Sequence, residues 1–384
     1  MLALKRSAVV GPCARLHTEE HRHDSVASGL EEGAARERKS EVSVCARIAV
    51  VRALHGLGDM LCAVPALTAL RRTHPNAEIS LIGLAACSWM IDRFGALLDA
   101  LVPFPGFPGI PEQPYSPAAL DRFVARARSA PFDLAIQMHG SGTASNAFTT
   151  MLGARLTAGL YDTTRPRPPG KFFPYPRRGS EVHRCLYLAR SLGCVASGDR
   201  VTFPVDDDRA ELAEHALLGT LVGEAFVCLH AGARDPARRW PAERFAAVGD
   251  VLASKGYRVV LTGTAAERDA AEDVARAMRA PSLNAAGATS LGTVAALLER
   301  AALLVTNDTG ISHLAAAVGT PSVVVFLASD PERWAPLDRE RHRPIVARRL
   351  AAPRPLDGAR RSVDDVPLVR EVLDEALHVM THDG

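Results

Sequence analysis

The chain has 384 residues, 47% of them hydrophobic, which favours two domains of ordinary size, each with its own core. A formal net charge of +2 makes no electrostatic case for nucleic acid. No apolar run reaches the roughly 18 residues that a membrane span needs, and a cytoplasmic location is expected. The basic residues are skewed: 4 of 45 are Lys, so a cationic role usually filled by Lys can fall to Arg here. Seven cysteines, at 13, 45, 62, 87, 185, 194 and 228, form no CxxC pair and read as reduced, mostly buried thiols; neither a metal site nor a cofactor is expected.

Residues 1–46 read as a separate tail, rich in Arg, Glu, Ser, Gly and His and poor in apolar periodicity, as in disordered segments. From Arg47 the pattern changes. RIAVVRAL reads as a buried strand, MLCAVPALTALRRTHP as a helix, AEISLIGLA as the next strand, and FGALLDALVPF as a short helix with a strand edge. AALDRFVARARSA is then a helix, DLAIQMH a strand and EVHRCLYLARSLG a helix. Two loops interrupt this half. PFPGFPGIPEQPYSP carries six prolines between 103 and 117, and TTRPRPPGKFFPYPRR, residues 163–178, carries five cations and three aromatics. A polar stretch near 196–210 separates a second half. There AFVCLH, YRVVLTG, ALLVTN and SVVVFL read as strands, between helices at PAERFAAVGDVLASKG, AAERDAAEDVARAM, LGTVAALLERA and ISHLAAAVG. DDVPLVREVLDEALHVM is a closing helix. Strands alternating with helices imply parallel α/β sheets, here in two Rossmann-like halves.

Four turns carry chemistry. In LLVTNDTGISHLAAAVGTPSVVVF, Thr309 and Gly310 stand at a helix N-terminus, where free amides and the helix dipole favour anionic oxygen; His313 is one turn on. The plain alternative is an ordinary helix cap with a satisfied histidine. In CLHAGARDPARRWPAERF, Arg238 beside a strand-end turn suits a diphosphate leaving group, unless the loop is simply a solvated basic loop with Trp240 in the core. In VVLTGTAAERDAA, Thr262 and Gly263 end a strand where α/β sheets bind ligands, and Glu267 can accept bonds from sugar hydroxyls or serve only the helix dipole. In HGLGDMLCAVPALTAL, Asp59 sits alone at a strand-turn-helix without a phosphate-loop lysine. A carboxylate there suits general-base work on a hydroxyl, an N-cap, or both.

Together, GLGDMLCAVPALTALRRTHPNAEISLI, DLAIQMHGSGTASN, HAGARDPARRWPAERF and NDTGISHLAAAVGTP resemble glycosyltransferase family 9, the bacterial ADP-heptose:lipopolysaccharide heptosyltransferases, in family order from Arg47 to about Trp334. The resemblance implies a GT-B fold, two Rossmann-like domains facing across a cleft, with an acceptor domain at 47–203 and a nucleotide-sugar domain at 204–384. It also implies metal-independent inversion at the anomeric carbon. Position by position, Asp59 matches the family's catalytic base, Arg238 falls where relatives carry a lysine, Glu267 falls near a sugar-contacting acid, and Asp308, Thr309, Gly310 and His313 match the donor segment. Thr262 and Gly263 join them as candidate donor contacts. Gly58, His139, Arg165, Arg167 and Lys171 are the candidate acceptor contacts. LASDPERW at 327–334 departs from the Gly-Pro of many relatives.

The expected partners are therefore an ADP-heptose-type donor and an anionic, lipid-linked acceptor of the lipopolysaccharide-core kind, with peripheral contact to the inner membrane through the 163–178 loop and no nucleic acid. Two alternatives stay open: another nucleotide sugar or a small-molecule acceptor on the same fold, and a nucleotide-sugar-binding protein without turnover.

Overall fold

The computed structural model describes residues 45–348 and 367–382, so the expected tail at 1–46 lies almost wholly outside the described residues. Two six-stranded sheets make up the architecture. The first holds β1 (Arg47–Val51), β2 (Glu78–Gly83), β3 (Ala100–Pro103), β4 (Leu134–Gln137), β5 (Leu156–Tyr161) and β6 (Lys171–Pro174), in spatial order β3-β2-β1-β4-β5-β6. The second holds β7 (Phe226–His230), β8 (Arg258–Leu261), β9 (Ser282–Asn284), β10 (Leu304–Asn307), β11 (Ser322–Phe326) and β12 (His342–Val346), in order β12-β11-β10-β7-β8-β9. Every pairing is parallel. Renumbered within its own half, the second order is the same as the first. Each sheet therefore reverses direction at one place, between β1 and β4 and between β7 and β10.

Parallel strands need crossovers and are covered on both faces, which is why the central strands read as unbroken apolar runs. The period of two sorts their side chains. On β7, Phe226 and Cys228 join the main core, which includes the first sheet, while Val227 and Leu229 join a second cluster with Trp240, Phe245, Val305 and Val325. The closing helix, Val369–His382, buries Val372, Ala376 and Val379 in that second cluster. Thus 227–229 and 303–305 are apolar at every position because both faces are buried.

The structure adds to the sequence reading and corrects it in places. The helix expected over residues 60–75 is two helices, Leu57–Leu61 and Val64–Thr73, restarted around Pro65. Proline in a continuous helix would lose one bond and collide with the carbonyl four residues back; in a first turn it costs neither. The expected strand at 47–54 stops at Val51. The helix Ser145–Met151 and strands β5, β6, β9 and β12 were not anticipated.

The 163–178 loop also differs from expectation. Lys171–Pro174 is β6, Phe172 is buried, and Phe173 and Tyr175 pack against the main core, with Arg184 over the Tyr175 ring. The mixture of cations and aromatics is therefore not one exposed surface: the adjacent Phe172 and Phe173 point to opposite faces of β6 and are both covered, whereas Arg165, Arg167 and Arg178, outside the strand, are exposed, and Arg177 pairs with Asp162 at 3.3 Å.

Candidate active site

Open α/β sheets bind ligands beyond the carboxyl ends of their strands, at the point where strand order reverses. Both reversal points here open on one cleft of about 790 Å³. The turn after β1 contributes His55, Gly56, Leu57, Gly58 and Asp59; the turns after β7 and β10 contribute Arg234, Asp235, Arg238, Asp308, Thr309 and Gly310.

Asp59 stands in the first turn of Leu57–Leu61. It does not cap that helix, since no side-chain cap bond is made at Gly56. Its carboxylate folds back over Gly56, where a Cβ would come within 2.0 Å of Oδ2. Behind it lies Arg52, a residue that falls inside the strand expected at RIAVVRAL. Arg52, 1% exposed, donates from Nε (3.0 Å) and Nη2 (2.5 Å) to the Asp59 carbonyl and from Nη1 to the Met138 carbonyl (2.5 Å). One guanidinium thereby ties the turn after β1 to the turn after β4. Its charge faces Glu181 at 3.6 Å, and Glu181 also meets Arg184 at 3.5 Å and Arg333 at 3.0 Å. Burial would raise the Glu181 carboxyl, but Arg52, Arg333 and Arg184 together hold it below the ordinary value. Burial has the upper hand at Asp59: it lifts that carboxyl above the usual range, with Glu181 adding to the rise and Arg52, Arg333 and Arg238 opposing it.

Arg238 ends a short turn, Pro236–Arg238, that Asp235 caps by accepting from the Ala237 amide at 2.8 Å. Asn307 holds the same loop, accepting from the Trp240 amide (2.9 Å) and donating to the Ala231 carbonyl (2.8 Å). Arg238 reaches the Asp308 carboxylate and carbonyl, each at 3.4 Å. Asp308, 3% exposed, also accepts from the Ser329 hydroxyl. Burial raises its carboxyl and Asp59 adds to the rise; Ser329 and Arg238 pull it back. Thr309 is the N-cap of Gly310–Val318, yet its hydroxyl makes no cap bond: Oγ1 is buried and has no hydrogen-bond partner among the described residues. Trp240 is in the core, as the plainer reading of that loop had it.

Glu267 lines the cleft, and its Oε2 closes a capping box with the amide (2.9 Å) and hydroxyl (2.8 Å) of Thr264. His230, 3.8 Å from Oε1, and the Thr264 donors hold its carboxyl down to about 2 against burial. Thr262 is buried and faces His230 Nδ1 at 3.2 Å, and the cleft is lined from this loop by Thr264 and Ala266. Gly263 adjoins Glu267: a Cβ there would sit 3.3 Å from the Glu267 Cβ.

His313 lines the cleft but is enclosed, and burial, with His342 nearby, pushes it down to about 4, so it is neutral near pH 7. It lies 3.7 Å from Cys62 Sγ and directly against Gly58, where a Cβ would meet its Cδ2 at 2.5 Å. The reverse contact is as close: a Cβ on Gly310 would meet the Leu57 Cβ at 2.7 Å. The helices Leu57–Leu61 and Gly310–Val318 interlock at the cleft floor because glycine occupies both positions.

Among the acceptor candidates, Gly58 lines the cleft. His139 lies beside it, accepting from the Ala53 amide at 3.3 Å and facing Glu112 at 3.9 Å; burial lowers its pKa. Arg165 lines a separate hollow, Arg167 is exposed, and Lys171 is half-buried on β6. Glu112, from the proline-rich loop, also lines the cleft, as does Trp334; composition alone gave no signal for either. Among the described residues no three His, Cys, Asp or Glu side chains group as a metal site, and no helix is long and apolar enough to cross a membrane.

The profile of glycosyltransferase family 9 (heptosyltransferase) matches residues 121–352, more than half of the chain. The chain belongs to glycosyltransferase family 9. Within the family, it is 32% identical over 132 residues to lipooligosaccharide heptosyltransferase 2 of Haemophilus influenzae, covering 33% of this chain and 36% of that protein. It is 27% identical over 309 residues to lipopolysaccharide heptosyltransferase 1 of Escherichia coli K12, covering 74% of this chain and 89% of that protein. The chain thus spans about a third of the length of the first curated relatives it matches. Among solved structures, a family 9 glycosyltransferase from Veillonella parvula superposes with a TM-score of 0.69 at 23% identity, over 88% of this chain and 97% of that one. The Escherichia coli ADP-heptose LPS heptosyltransferase II superposes with a TM-score of 0.65 at 20% identity, over 88% and 99%. The two-sheet family 9 architecture is therefore the GT-B α/β fold expected from the sequence.

Proposed function

We propose that the protein is an inverting glycosyltransferase that moves a heptose or related sugar from an ADP-sugar to a hydroxyl of a lipopolysaccharide-core-type acceptor, without a metal. Residues 47–203 serve as the acceptor half and 204–384 as the donor half. The observation that carries the reading is that Asp59, Arg238 and the unpartnered Thr309 hydroxyl line one cleft. Asp59 takes the proton of the acceptor hydroxyl. That oxygen attacks the anomeric carbon from the face opposite the diphosphate, and the carbon–oxygen bond to the diphosphate breaks. Arg238, the Thr309 hydroxyl and the free amides at the start of Gly310–Val318 take up the charge that develops on the leaving group. The names of the curated relatives, all heptosyltransferases of lipopolysaccharide or lipooligosaccharide, support the sugar and acceptor. Glu267 and Asp308 flank the donor, the first toward sugar hydroxyls and the second holding Arg238. Arg165, Arg167 and Lys171 lie on the acceptor side, where a lipid-linked anion at the inner membrane face would meet them; the protein would act from the cytoplasm.

The test is a screen of nucleotide sugars, ADP-heptose among them, with lipid-free core oligosaccharide as acceptor. Mass spectrometry reads the product and NMR its anomeric configuration, with and without a chelator. Transfer from an ADP-sugar with inverted configuration, unaffected by chelation, is expected. Transfer only from other nucleotide sugars, retained configuration, or loss of turnover on chelation each removes the corresponding part, and binding without transfer removes the enzyme.

A further inference from the structure

Next to the cleft, on the acceptor half, is a second hollow of about 350 Å³ beyond the ends of β4 and β5. Ser141, Thr143, Asn146, Thr150, Tyr161 and Arg165 line it. Asn146 is the unusual member. It is 6% exposed, and its Nδ2 donates to the Leu160 carbonyl at 3.0 Å. That bond fixes which end of the amide is which, since a carbonyl accepts only from the NH2. The other end, Oδ1, is buried and has no hydrogen-bond partner among the described residues, on a side chain that lines the hollow. A buried acceptor without a donor is costly, so such groups normally mark a missing partner. Gly142 makes the arrangement rigid. Its φ is +81°, and a Cβ there would come within 2.1 Å of Asn146 Nδ2 and 2.4 Å of the Leu160 carbonyl oxygen.

We infer that this hollow is a carbohydrate subsite that takes a sugar ring of the acceptor other than the one being glycosylated, with a ring hydroxyl donating to Asn146 Oδ1. The rest of the lining fits such a ligand. Ser141 and Thr143 face each other at 3.3 Å and present hydroxyls that both donate and accept. Tyr161 and the prolines after Arg165 give flat apolar faces of the kind on which a sugar's C–H face can rest. Asp162 is turned to the Thr164 amide and to Arg177, which leaves Arg165 as the charge presented at the rim and favours a ring with an acidic substituent. Ser141 in the hollow follows His139 by two residues, and His139 faces the cleft-lining Glu112 at 3.9 Å. Between hollow and cleft runs the proline-rich loop, which puts Glu112 in the cleft and Gly109 against Ala144, where a Cβ would stand 3.1 Å away.

The inference rests on the reading that the acceptor is a glycan, and the experiment separates the two. Ala147 is exposed on the helix Ser145–Met151 and lines the hollow, so Ala147→Trp fills it without entering the core. Binding of lipid-free core oligosaccharide is measured by calorimetry on the full chain, wild type and variant, with thermal unfolding as the check on folding. A second variant, Arg165→Gln, tests the rim charge. Ala147→Trp is expected to weaken binding at least about tenfold, near 1.4 kcal/mol, at an unchanged unfolding temperature; Arg165→Gln should weaken it less, and more so at low salt. Equal affinity in wild type and Ala147→Trp, or no binding to wild type, overturns the subsite. Binding that is lost in the variant while no sugar is ever transferred upholds the subsite and sinks the transferase reading instead. Should Ala147→Trp unfold early, Thr150→Trp, on the same exposed face, takes its place with the same two outcomes.

Discussion

The turns after β1 and β10 have the same plan, a buried parallel strand, a short turn with a carboxylate and a helix, yet they equip the cleft differently. At Asp308 the carboxylate is engaged by Ser329 and Arg238 and works inward, holding a cation in place. The neighbouring Thr309 hydroxyl and helix amides are what this turn offers to a ligand. At Asp59 the reverse holds: the main-chain carbonyl is engaged by Arg52, and among the described residues no hydrogen bond occupies the carboxylate. Burial raises both carboxyls. What distinguishes the proposed base from a strut is therefore which atom of the aspartate the neighbours hold, not how deeply it is buried.

The sharpest way to break that comparison is Asp59→Asn. Turnover should fall by roughly 10²–10⁴-fold with donor affinity nearly intact, because the proposed base is lost and the turn after β10 is untouched. Steady-state kinetics with calorimetry on the donor checks it, and near-normal turnover would take Asp59 out of the mechanism.

Arg52→Met should cost about 3–5 kcal/mol of folding stability in denaturant titrations, since it strips two buried carbonyls and unbalances Glu181. It also carries a readout that mere destabilisation would not move. Arg52 is the strongest influence lowering the Asp59 pKa, so its loss raises that pKa further, and the acid limb of kcat/KM should move to higher pH. A weaker protein with an unshifted limb would make Arg52 structural only.

On the other turn, Thr309→Ala should weaken donor binding by about 1–2 kcal/mol while leaving the unfolding temperature almost unchanged, because the hydroxyl has no partner in the free protein to lose. A large drop in stability at unchanged donor affinity would overturn its assignment.

The smallest effect concerns His313. Its folded pKa, about 4, lies below the ordinary 6.5, so between those values the unfolded chain binds a proton that the folded chain does not. Stability must then fall as pH drops from 6.5 toward 4. His313→Gln should flatten that slope in denaturation curves measured across the interval; an unchanged slope would mean that another group sets it.

Much of this architecture was legible in the sequence, and the exceptions have physical causes. The central strands β1, β7, β10 and β11 announce themselves because burial on both faces removes every polar residue from 48–51, 226–229, 303–305 and 322–326 except Ser322, which bonds His342 at 2.9 Å. Strands β5, β6, β9 and β12 lie toward or at the sheet edges, are half-covered, and carry Gly159, Pro174, Asn284 and Pro344; composition says loop there and only pairing says strand. The turns were legible because their chemistry is local. Asp59, Arg238, Thr309 and Gly310 do line one cleft, but Arg52 was not foreseen, since its partners are the carbonyls of Asp59 and Met138 and the carboxylate of Glu181, the last two far away in sequence. Thr262, the first residue past β8, is buried against His230, and Thr264 two places on is the threonine that lines the cleft, a difference of turn geometry that composition does not carry.

The paired glycine contacts at the cleft floor have a mechanical meaning. Where Gly58 presses on His313 and Gly310 on Leu57, the backbones are too close to slide past each other. A rotation that opened the two sheets would find its fulcrum there. Points near an axis travel least, so Asp59 and the amides at the start of Gly310–Val318, a few residues away, would keep their spacing while the parts of the cleft farther from it, at the lips, swung widest. Spin labels across the lips should then report broad distances that narrow with donor, and a pair placed beside the fulcrum should report one distance throughout; broadening at both places would show that the halves translate. The enzyme would be a pair of tongs gripped at the reactive end, loading and unloading at its mouth without ever taking apart the place where the bond is made.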